Sequence, residues 1–247
     1  MSDWEPSAPL ATLAVRASML RAAREYFVAT QAVEVETPTL SAAAVTDIHL
    51  ASVEAVANGR RRFLHTSPEY FMKRLLAAGS GDIWQICRVY RDGEAGRLHN
   101  PEFTLLEWYR LGIDHHALMS DVERLVGAVL PTSHDFDVAE RLTYREAVQL
   151  HAGVDAFDDT SPMLVARLDS AGIDVPVQFR NDRDACLDLI MATLVGPHLG
   201  HDRLCFVYDY PASQAALAQV HGQVAARFEA YLGGLELANG FHELAEA

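Results

Sequence analysis

The sequence predicts an α+β fold in which helices flank an antiparallel sheet. Short segments rich in β-branched and aromatic residues meet at two tight-turn signals, Asn58-Gly59 and Gly233-Gly234. Helical periodicity is concentrated near the N-terminus and in the middle of the chain. No internal repeat or low-complexity linker is visible, so we expect one catalytic domain spanning residues 1–247, with a helical insertion over about residues 140–200.

The first half of the chain is predicted to alternate helices with short strands. In order, the predicted elements are a helix over 13–30, a short strand closed by Pro38, strands over 48–57 and 61–66, a helix over 70–78 and a strand over 82–91. Ser67 and Pro68 are typical of an N-cap and a first helical position, and Gly79 is typical of a helix end.

The second half is predicted to begin and end with strands and to be helical in between. In order, the predicted elements are a strand over 102–111, a helix over 115–130, three helical pieces within 140–200, a strand over 204–210 that ends at Pro211, and strands over 224–232 and 235–244.

Charge and cysteine content favour a cytoplasmic protein that does not bind nucleic acid through a basic surface. The chain has 34 acidic and 20 basic residues, a net charge of −14, whereas phosphate binding depends on clustered Lys and Arg. No apolar run reaches membrane-spanning length, and no secretory signal is apparent. Cys87, Cys186 and Cys205 are far apart and are expected as buried thiols of a reducing compartment.

A carboxylate in the middle of a predicted strand is the first unusual feature. In HNPEFTLLEWY, alternation places Phe103, Glu107 and Tyr109 on one face of the strand. A carboxylate inside a strand is costly unless it is paired, and a cationic ligand is one natural partner. The alternative is an amphipathic edge strand on which Glu107 is solvated.

The loop before this strand carries groups that could hold a nucleotide. Arg91 and Asn100 lie at its two ends, and a guanidinium fork can grip a phosphate while Phe103 stacks on a base. The alternatives are a surface Arg91 paired with Asp92 or Glu94, and a Phe103 that belongs to the core.

The closing run ELANGFHE concentrates carboxylates near the C-terminus. Glu236, Asn239 and Glu243 would share a helical face, but the Asn239-Gly240 pair argues for strand and turn. Converging carboxylates, here together with Glu229, suit Mg²⁺ bound jointly with phosphates. The alternative is an acidic tail that runs into solvent.

The histidines do not predict a metal site. His198 and His201 lie three residues apart without a third ligand, so zinc is not expected there. His115 and His116 are expected to be exposed at a helix start. The chain has no GxSxG and no P-loop sequence.

Three segments together resemble a class II aminoacyl-tRNA synthetase core of the lysyl type. REYFVATQAVEVETP is similar to motif 1, CRVYRDGEAGRLHNPEFTLLEWY to motif 2, and FEAYLGGLELANGFHEL to the acidic segment that precedes motif 3. The resemblance runs from about residue 12 to the end. TSPEYFMKRLL and YDYPASQAALAQ resemble in particular the truncated paralogues that attach (R)-β-lysine to elongation factor P.

The resemblance implies an ATP-dependent ligase that uses Mg²⁺, with residue roles carried over position by position. Arg91 is implied as the catalytic group on the α-phosphate. The implied ATP-binding residues are Arg91, Asp92, Gly93, Glu94, Asn100, Phe103, Glu236 and Leu237, and the implied Mg²⁺ ligands are Glu229 and Glu236. The implied amino-acid-binding residues are Ser67, Pro68, Glu69, Glu107, Tyr109, Asn239 and Glu243.

The chain also departs from the family pattern. Motif 2 usually reads Arg-Asn-Glu, but here Arg91 is followed by Asp92, Gly93 and Glu94. No anticodon-binding domain precedes motif 1 and motif 3 is absent, so we expect a C-terminally incomplete domain that alone activates amino acids poorly. Elongation factor P is the expected acceptor, tRNA is a poor candidate, and pairing through the motif 1 helix is expected to give a homodimer.

Two other functions stay open at this point. The chain could be a lysyl-tRNA synthetase catalytic fragment, or a non-catalytic synthetase-like binding module. The sequence does not distinguish (R)-β-lysine from α-lysine, because both carry the same side-chain ammonium.

Overall fold

The structure is a computed structural model that describes residues 5–6, 8–47, 50–130 and 138–245. The chain divides into two compact units, Met1–Gly112 and Ile113–Ala247. The start of the strand predicted over 48–57 falls on residues 48 and 49, which lie outside the described residues.

Among its described residues, the first unit contains two helices and two small sheets. Its elements are α1 (Leu10–Ala29), β1 (Val33–Glu34), β2 (Leu40–Ser41), β3 (Glu54–Ala57), β4 (Arg60–Leu64), α2 (Glu69–Ala77), β5 (Ile83–Tyr90) and β6 (Glu102–Tyr109). One sheet has the order β1-β5-β6 and the other β2-β4-β3. The pairing of β5 with β6 is antiparallel, whereas β1 runs parallel to β5.

Turn and cap residues explain where these elements begin and end. Asn58 and Gly59 have φ values of 53° and 69°, and this left-handed pair joins β3 to β4 as predicted. The helix α2 begins at Glu69, with Pro68 just outside it. The N-cap is therefore Pro68 and not Ser67, one residue later than predicted, although Ser67 Oγ accepts a hydrogen bond of 3.0 Å from the Glu69 N–H just before the first turn. Gly79, with φ 87°, follows its end.

Aromatic stacking fixes α1 on the larger sheet of this unit. Phe27 is fully buried and stacks on Trp84 of β5, with ring centroids 4.7 Å apart. Trp108 of β6 lies 5.7 Å from the same phenylalanine ring. Such aromatic contacts bury large apolar surfaces. They pack α1 against β5 and β6, and β6 carries Glu107 and Tyr109.

The second unit contains a larger sheet and most of the helices. Its elements are α3 (His115–Val129), β7 (Glu140–Thr143), α4 (Tyr144–Ala152), α5 (Ser161–Ser170), α6 (Arg183–Ile190), β8 (Cys205–Pro211), β9 (Val220–His221), β10 (Val224–Leu232) and β11 (Leu235–Phe241). The sheet has the order β11-β10-β8-β7, and β9 pairs with β10. A π-helical turn, Met191–Val195, follows α6.

The predicted α+β fold is confirmed, but two strand pairs are parallel. Both β1–β5 and β7–β8 join strands separated by long connections. A parallel pair needs such a crossover, and the helices of residues 144–198 supply it between β7 and β8. The sequence predicted an antiparallel sheet and no parallel pair, because its two tight-turn signals, Asn58-Gly59 and Gly233-Gly234, are local whereas the crossovers are not.

The three predicted helical pieces form the core of the second unit. Thr143 and Glu146 make a capping box at the start of α4. The core residues include Tyr144, Val148, Leu164, Leu168, Leu187, Ile190 and Val207. This apolar layer backs β8, which lies next to β10 in the sheet.

Two remaining sequence predictions concern the thiols and the membrane. Cys186 and Cys205 are buried and free, and Cys87 is free and partly buried. Across the described part of the chain, every helix is too short or too polar to traverse a bilayer.

Candidate functional site

Glu107 on β6 is held by two hydroxyl groups of the first unit. Ser67 Oγ donates to Glu107 Oε2 at 2.5 Å, and the Tyr109 hydroxyl donates to Oε1 at 2.8 Å. Burial raises the pKa of Glu107 to about 7, although both hydrogen bonds favour the ionised form. β6 is the terminal strand of its sheet, but Glu107 is not solvated in the way that the edge-strand alternative required.

A second carboxylate and an ammonium group lie beside Glu107. Glu69 and Lys73, one turn apart on α2, form an ion pair of 2.6 Å in which each side chain is 29% exposed. The Glu69 charge raises the pKa of Glu107 and the Lys73 charge lowers it. Ser67, Glu69, Lys73, Glu107 and Tyr109 are called the carboxylate cluster below. With both carboxylates ionised its net charge is −1, which favours one further cation.

The sequence prediction gathered four of these five residues but missed Lys73. The sequence feature that could have identified Lys73 is the Glu-x-x-x-Lys spacing from Glu69, which places both side chains on one face of α2. Pro68 lies in the turn between Ser67 and Glu69 and sets the entry into the helix.

Arg91 contacts both a carboxylate and an aromatic ring. Its Nη1 lies 3.6 Å from Glu94 Oε1, and its guanidinium carbon lies 5.0 Å from the centre of the Phe103 ring. The backbone N–H of Arg91 donates to the Pro101 carbonyl at 2.9 Å, which closes the base of the loop. Arg91 Nε is buried and finds no hydrogen-bond acceptor among the described residues. A buried donor of this kind is satisfied when an anion binds.

The rest of the motif 2 loop is more exposed. Gly93 has a φ of 79°, and its backbone N–H donates a hydrogen bond of 3.0 Å to Asp92 Oδ1. Asp92 itself bridges to Ala51 through the backbone. Asn100 is exposed, so the structure gives it no partner that defines a role.

In the second unit, Glu229 on β10 already has two donors. Arg227 Nη2 and the Tyr231 hydroxyl each donate to one carboxylate oxygen at 2.5 Å. Glu229 is only 8% exposed, and Arg227 also stacks over the Tyr210 ring at 4.3 Å. The sequence prediction did not include Arg227 or Tyr231, although alternation places both on the same face of β10 as Glu229.

The acidic residues near the C-terminus lie on a strand, which excludes the helical alternative. Asn239 of β11 is the cross-strand partner of Glu229, and Glu236 is the partner of Tyr231. Glu236, Leu237 and Asn239 are all exposed. Glu243 bridges to Ala218, and its carbonyl accepts a hydrogen bond of 3.0 Å from Gln219. The backbone is therefore held through Glu243, unlike a tail that runs into solvent.

The structure corrects one prediction about the histidines. His115 was expected to be exposed, but it is buried at 7% exposure, and its Nε2 lies 3.2 Å from Asp209 Oδ1. The contact that accompanies its burial is with Asp209, 94 positions away along the chain, and local sequence does not reveal such a contact. His116 is exposed as predicted.

The His198–His201 spacing produces no metal site in the described part of the chain. His201 Nε2 lies 2.7 Å from the Pro197 carbonyl, and His198 stacks on His151 at 5.4 Å.

The comparisons with known proteins identify the class of the chain. Residues 3–247 match the family model described as tRNA synthetases class II (D, K and N). The chain therefore belongs to the class II tRNA synthetase family.

Among its relatives, the chain is similar to proteins named elongation factor P–(R)-β-lysine ligase. It is 47% identical to that of Edwardsiella ictaluri (strain 93-146) and 46% identical to that of Sodalis glossinidius (strain morsitans), over 100% of this chain and 78% of each relative. It is 46% identical to that of Vibrio cholerae serotype O1, over 98% of this chain and 76% of the relative.

Proposed function

We propose that the protein activates (R)-β-lysine with ATP as an adenylate and transfers it to a lysine side chain of elongation factor P. The relatives at 44–47% identity carry the name of this activity. The structural observation that carries the proposal is the Glu107 carboxylate, which two hydroxyls hold in place beside Glu69.

The carboxylate cluster suits a substrate with a side-chain ammonium group. Glu107 has a pKa of about 7, so an approaching ammonium shifts it fully to the ionised form. An uncharged analogue leaves a buried carboxylate without a cation, which such a site penalises strongly. We therefore expect the charge of the substrate's side chain to contribute more to selection than its shape.

Arg91 is proposed to bind the α-phosphate of ATP. Its planar guanidinium group is stacked on Phe103, and its buried Nε lacks an acceptor among the described residues. A phosphate oxygen supplies that acceptor, and the fixed positive charge stabilises negative charge that develops there as the amino-acid carboxylate attacks. The Glu94 carboxylate, 3.6 Å from Arg91, is proposed to orient the guanidinium together with the loop residues Asp92, Gly93 and Asn100.

The donor set on β10 and β11 fits Mg²⁺, which prefers carboxylate oxygens and phosphates. Glu236 is proposed as the main protein ligand, next to Leu237 at the nucleotide. Glu229 is neutralised by Arg227 and held by Tyr231, so its remaining lone pairs bind a second cation less strongly. When bound, the ion neutralises charge on the phosphates.

Pyrophosphate exchange tests the activation step. The purified chain is assayed with (R)-β-lysine, α-lysine and norleucine, an uncharged analogue of α-lysine that lacks the side-chain ammonium group. We expect exchange to require a side-chain ammonium group, with at least a roughly 100-fold lower kcat/KM for norleucine, because its binding leaves Glu107 without a cationic partner from the substrate. Equal exchange with norleucine would contradict the proposed pocket.

Transfer assays decide between protein and tRNA as the acceptor. Radiolabelled substrate is followed onto elongation factor P and onto lysine tRNA in parallel. The net charge of −14 favours a protein acceptor, because it repels a polyanion. We expect label on the protein; equal or faster charging of tRNA would support the lysyl-tRNA synthetase alternative.

We further propose a cytoplasmic homodimer that pairs through α1. This helix exposes Leu10, Leu13 and Val28 at 73%, 62% and 72%, an apolar surface of the kind that partner chains cover. Light scattering of the wild type against Leu13→Glu tests the pairing, and a monomeric wild type would contradict it.

A further inference from the structure

Three metal-ligating side chains of the second unit meet where α3 begins and β8 ends. His115, His116 and Asp209 each offer one donor atom, and these atoms lie within 4.8 Å of one another. His115 Nε2 is 3.2 Å from Asp209 Oδ1, and the two imidazole rings are 4.0 Å apart. Tetrahedral zinc with bonds of about 2.0–2.1 Å separates its ligands by about 3.3 Å. The His115–Asp209 pair already has this separation, and the donor atom of His116 lies within 4.8 Å of both.

The donor types select a borderline transition metal. Two imidazoles with one carboxylate suit zinc and its first-row neighbours, whereas Mg²⁺ prefers an all-oxygen shell. The His115 ring is buried and its Nε2 lies 3.2 Å from Asp209 Oδ1, so packing already holds one imidazole beside the carboxylate.

The surroundings supply the charge that a divalent ion requires. A helix N-terminus carries partial positive charge and by itself disfavours a cation. Asp114, the N-cap of α3, accepts a hydrogen bond of 2.8 Å from the Ala117 N–H. The carboxylates of Asp114 and Asp209 therefore both lie near the helix start.

A cavity adjoins the Asp209 side of the proposed site. Asp209 lines a cavity of about 210 Å³ together with Thr143, Arg145, Phe157, Gln223 and Val224. Three protein ligands leave at least one coordination position open in a tetrahedral site.

We infer that His115, His116 and Asp209 form a binding site for one divalent transition-metal ion, with zinc as its physiological class of ligand. The ion joins the start of α3 to the end of β8. The competing explanation is that His115 and Asp209 form only a hydrogen bond. His116 distinguishes the metal site from a simple hydrogen bond. Within the described residues it makes no hydrogen bond to Asp209, but it offers a donor atom to the proposed ion.

The test measures zinc binding by the full chain after tag removal, with millimolar Mg²⁺ present to occupy oxygen-rich sites. A chromophoric chelator reports the zinc Kd, and the thermal transition is followed with and without zinc. The variants are His116→Ala, at an exposed side chain, and Asp209→Asn. Asn keeps a hydrogen-bonding group and tolerates the positive φ of 58° at this position. His221→Ala, at another exposed histidine, is the matched control.

We expect one zinc per wild-type chain and a zinc-induced rise in Tm. Both variants should bind zinc at least about tenfold more weakly and lose the rise in Tm, while His221→Ala matches the wild type. Cobalt(II) should give the intense visible absorption of a low-coordinate site in the wild type only. Failure of the wild type to bind zinc, or unchanged binding by both variants, overturns the inference. The assay contains neither ATP nor amino acid, so its outcome is independent of the ligase proposal.

Discussion

The Tyr109 hydroxyl donates a hydrogen bond of 2.8 Å to the carboxylate of Glu107, two residues earlier on the same strand. Successive alternate residues of a strand share a face, so β6 itself aligns the donor with the acceptor. Ser67 binds the other carboxylate oxygen from a different part of the first unit. The two hydroxyls restrain Glu107 without neutralising it, and this leaves the cluster able to accept a cation.

The raised pKa of Glu107 predicts a pH-dependent stability. Its pKa rises from an ordinary value near 4.5 to about 7 in the folded protein, mainly through burial. The folded state therefore binds more protons than the unfolded state between these values, and stability falls as pH increases from about 4.5 to 7. The full contribution, on the order of 3 kcal/mol, is present below pH 4.5.

Urea denaturation at several pH values measures the free energy of unfolding of the wild type and of Glu107→Gln, and the difference between the two reports this effect. We expect the variant to lose less stability than the wild type over this pH range, because Gln does not ionise. Glu25→Gln, at an exposed residue of α1 that pairs weakly with Arg21 at 4.0 Å, should follow the wild type. Parallel curves for wild type and Glu107→Gln would contradict the assignment.

Loss of the Tyr109 hydroxyl should weaken amino-acid use while it preserves the fold. Tyr109→Phe removes a hydrogen bond to the ionised form of Glu107 and so raises the pKa of Glu107 further. Hydrogen bonds to charged groups contribute about 1.5–3 kcal/mol, so KM for the lysine-like substrate should rise about 10- to 100-fold at neutral pH. Part of the activity should return at higher pH, and the KM for ATP should not change. An unchanged KM for the amino acid would remove Tyr109 from substrate binding.

Substitution of Arg91 by lysine should impair the nucleotide step. Lysine keeps the charge but loses the planar fork and the stack on Phe103, whose centre lies 5.0 Å from the guanidinium carbon. We expect pyrophosphate exchange to fall by at least about tenfold. Arg88→Lys, in which the exposed pair with Glu102 at 3.7 Å is altered, is the matched control and should be nearly neutral. Full activity of Arg91→Lys would show that the guanidinium geometry is not needed.

The family resemblance predicts that Glu243→Gln impairs amino-acid activation far more than ATP binding. Loss of one charged partner of an ammonium should cost about 1.5–3 kcal/mol. Separate KM values for the amino acid and for ATP in pyrophosphate exchange show how far the substitution affects each of the two substrates. Unchanged kinetics with both α-lysine and (R)-β-lysine would remove Glu243 from substrate recognition.

Gly240 and Gly127 provide a matched pair of stability predictions. Gly240 of β11 lies opposite Phe228 of β10, and a Cβ at Gly240 would overlap the fully buried phenylalanine ring. Gly240→Ala should therefore destabilise the fold by about 1–3 kcal/mol. Gly127→Ala, at an exposed position in α3 with open space around it, should stabilise it by about 0.5–1 kcal/mol. Chemical denaturation compares the two variants, and equal effects would contradict the packing argument.

The sequence alone determined the elements that depend on neighbouring residues. Residues 13–30 and 115–130 were predicted as helices, and α1 and α3 confirm them to within three residues at each end. The Gly233-Gly234 hairpin was also predicted correctly, because turn chemistry and alternation are encoded locally. The class II resemblance rests on the same kind of information, since its three motifs are continuous segments.

Only the tertiary structure decided which side chains meet across distant parts of the chain. Ser67 reaches Glu107 across 40 positions, and Asp209 reaches His115 across 94. Neither periodicity nor spacing reports such a pair, because folding brings together residues whose separation has no regular period. The same physical reason explains why His115 was predicted to be exposed and is buried. Local propensity shaped the strands and helices, and long-range packing selected the partners, the burial and therefore the pKa of the groups that carry the proposed chemistry.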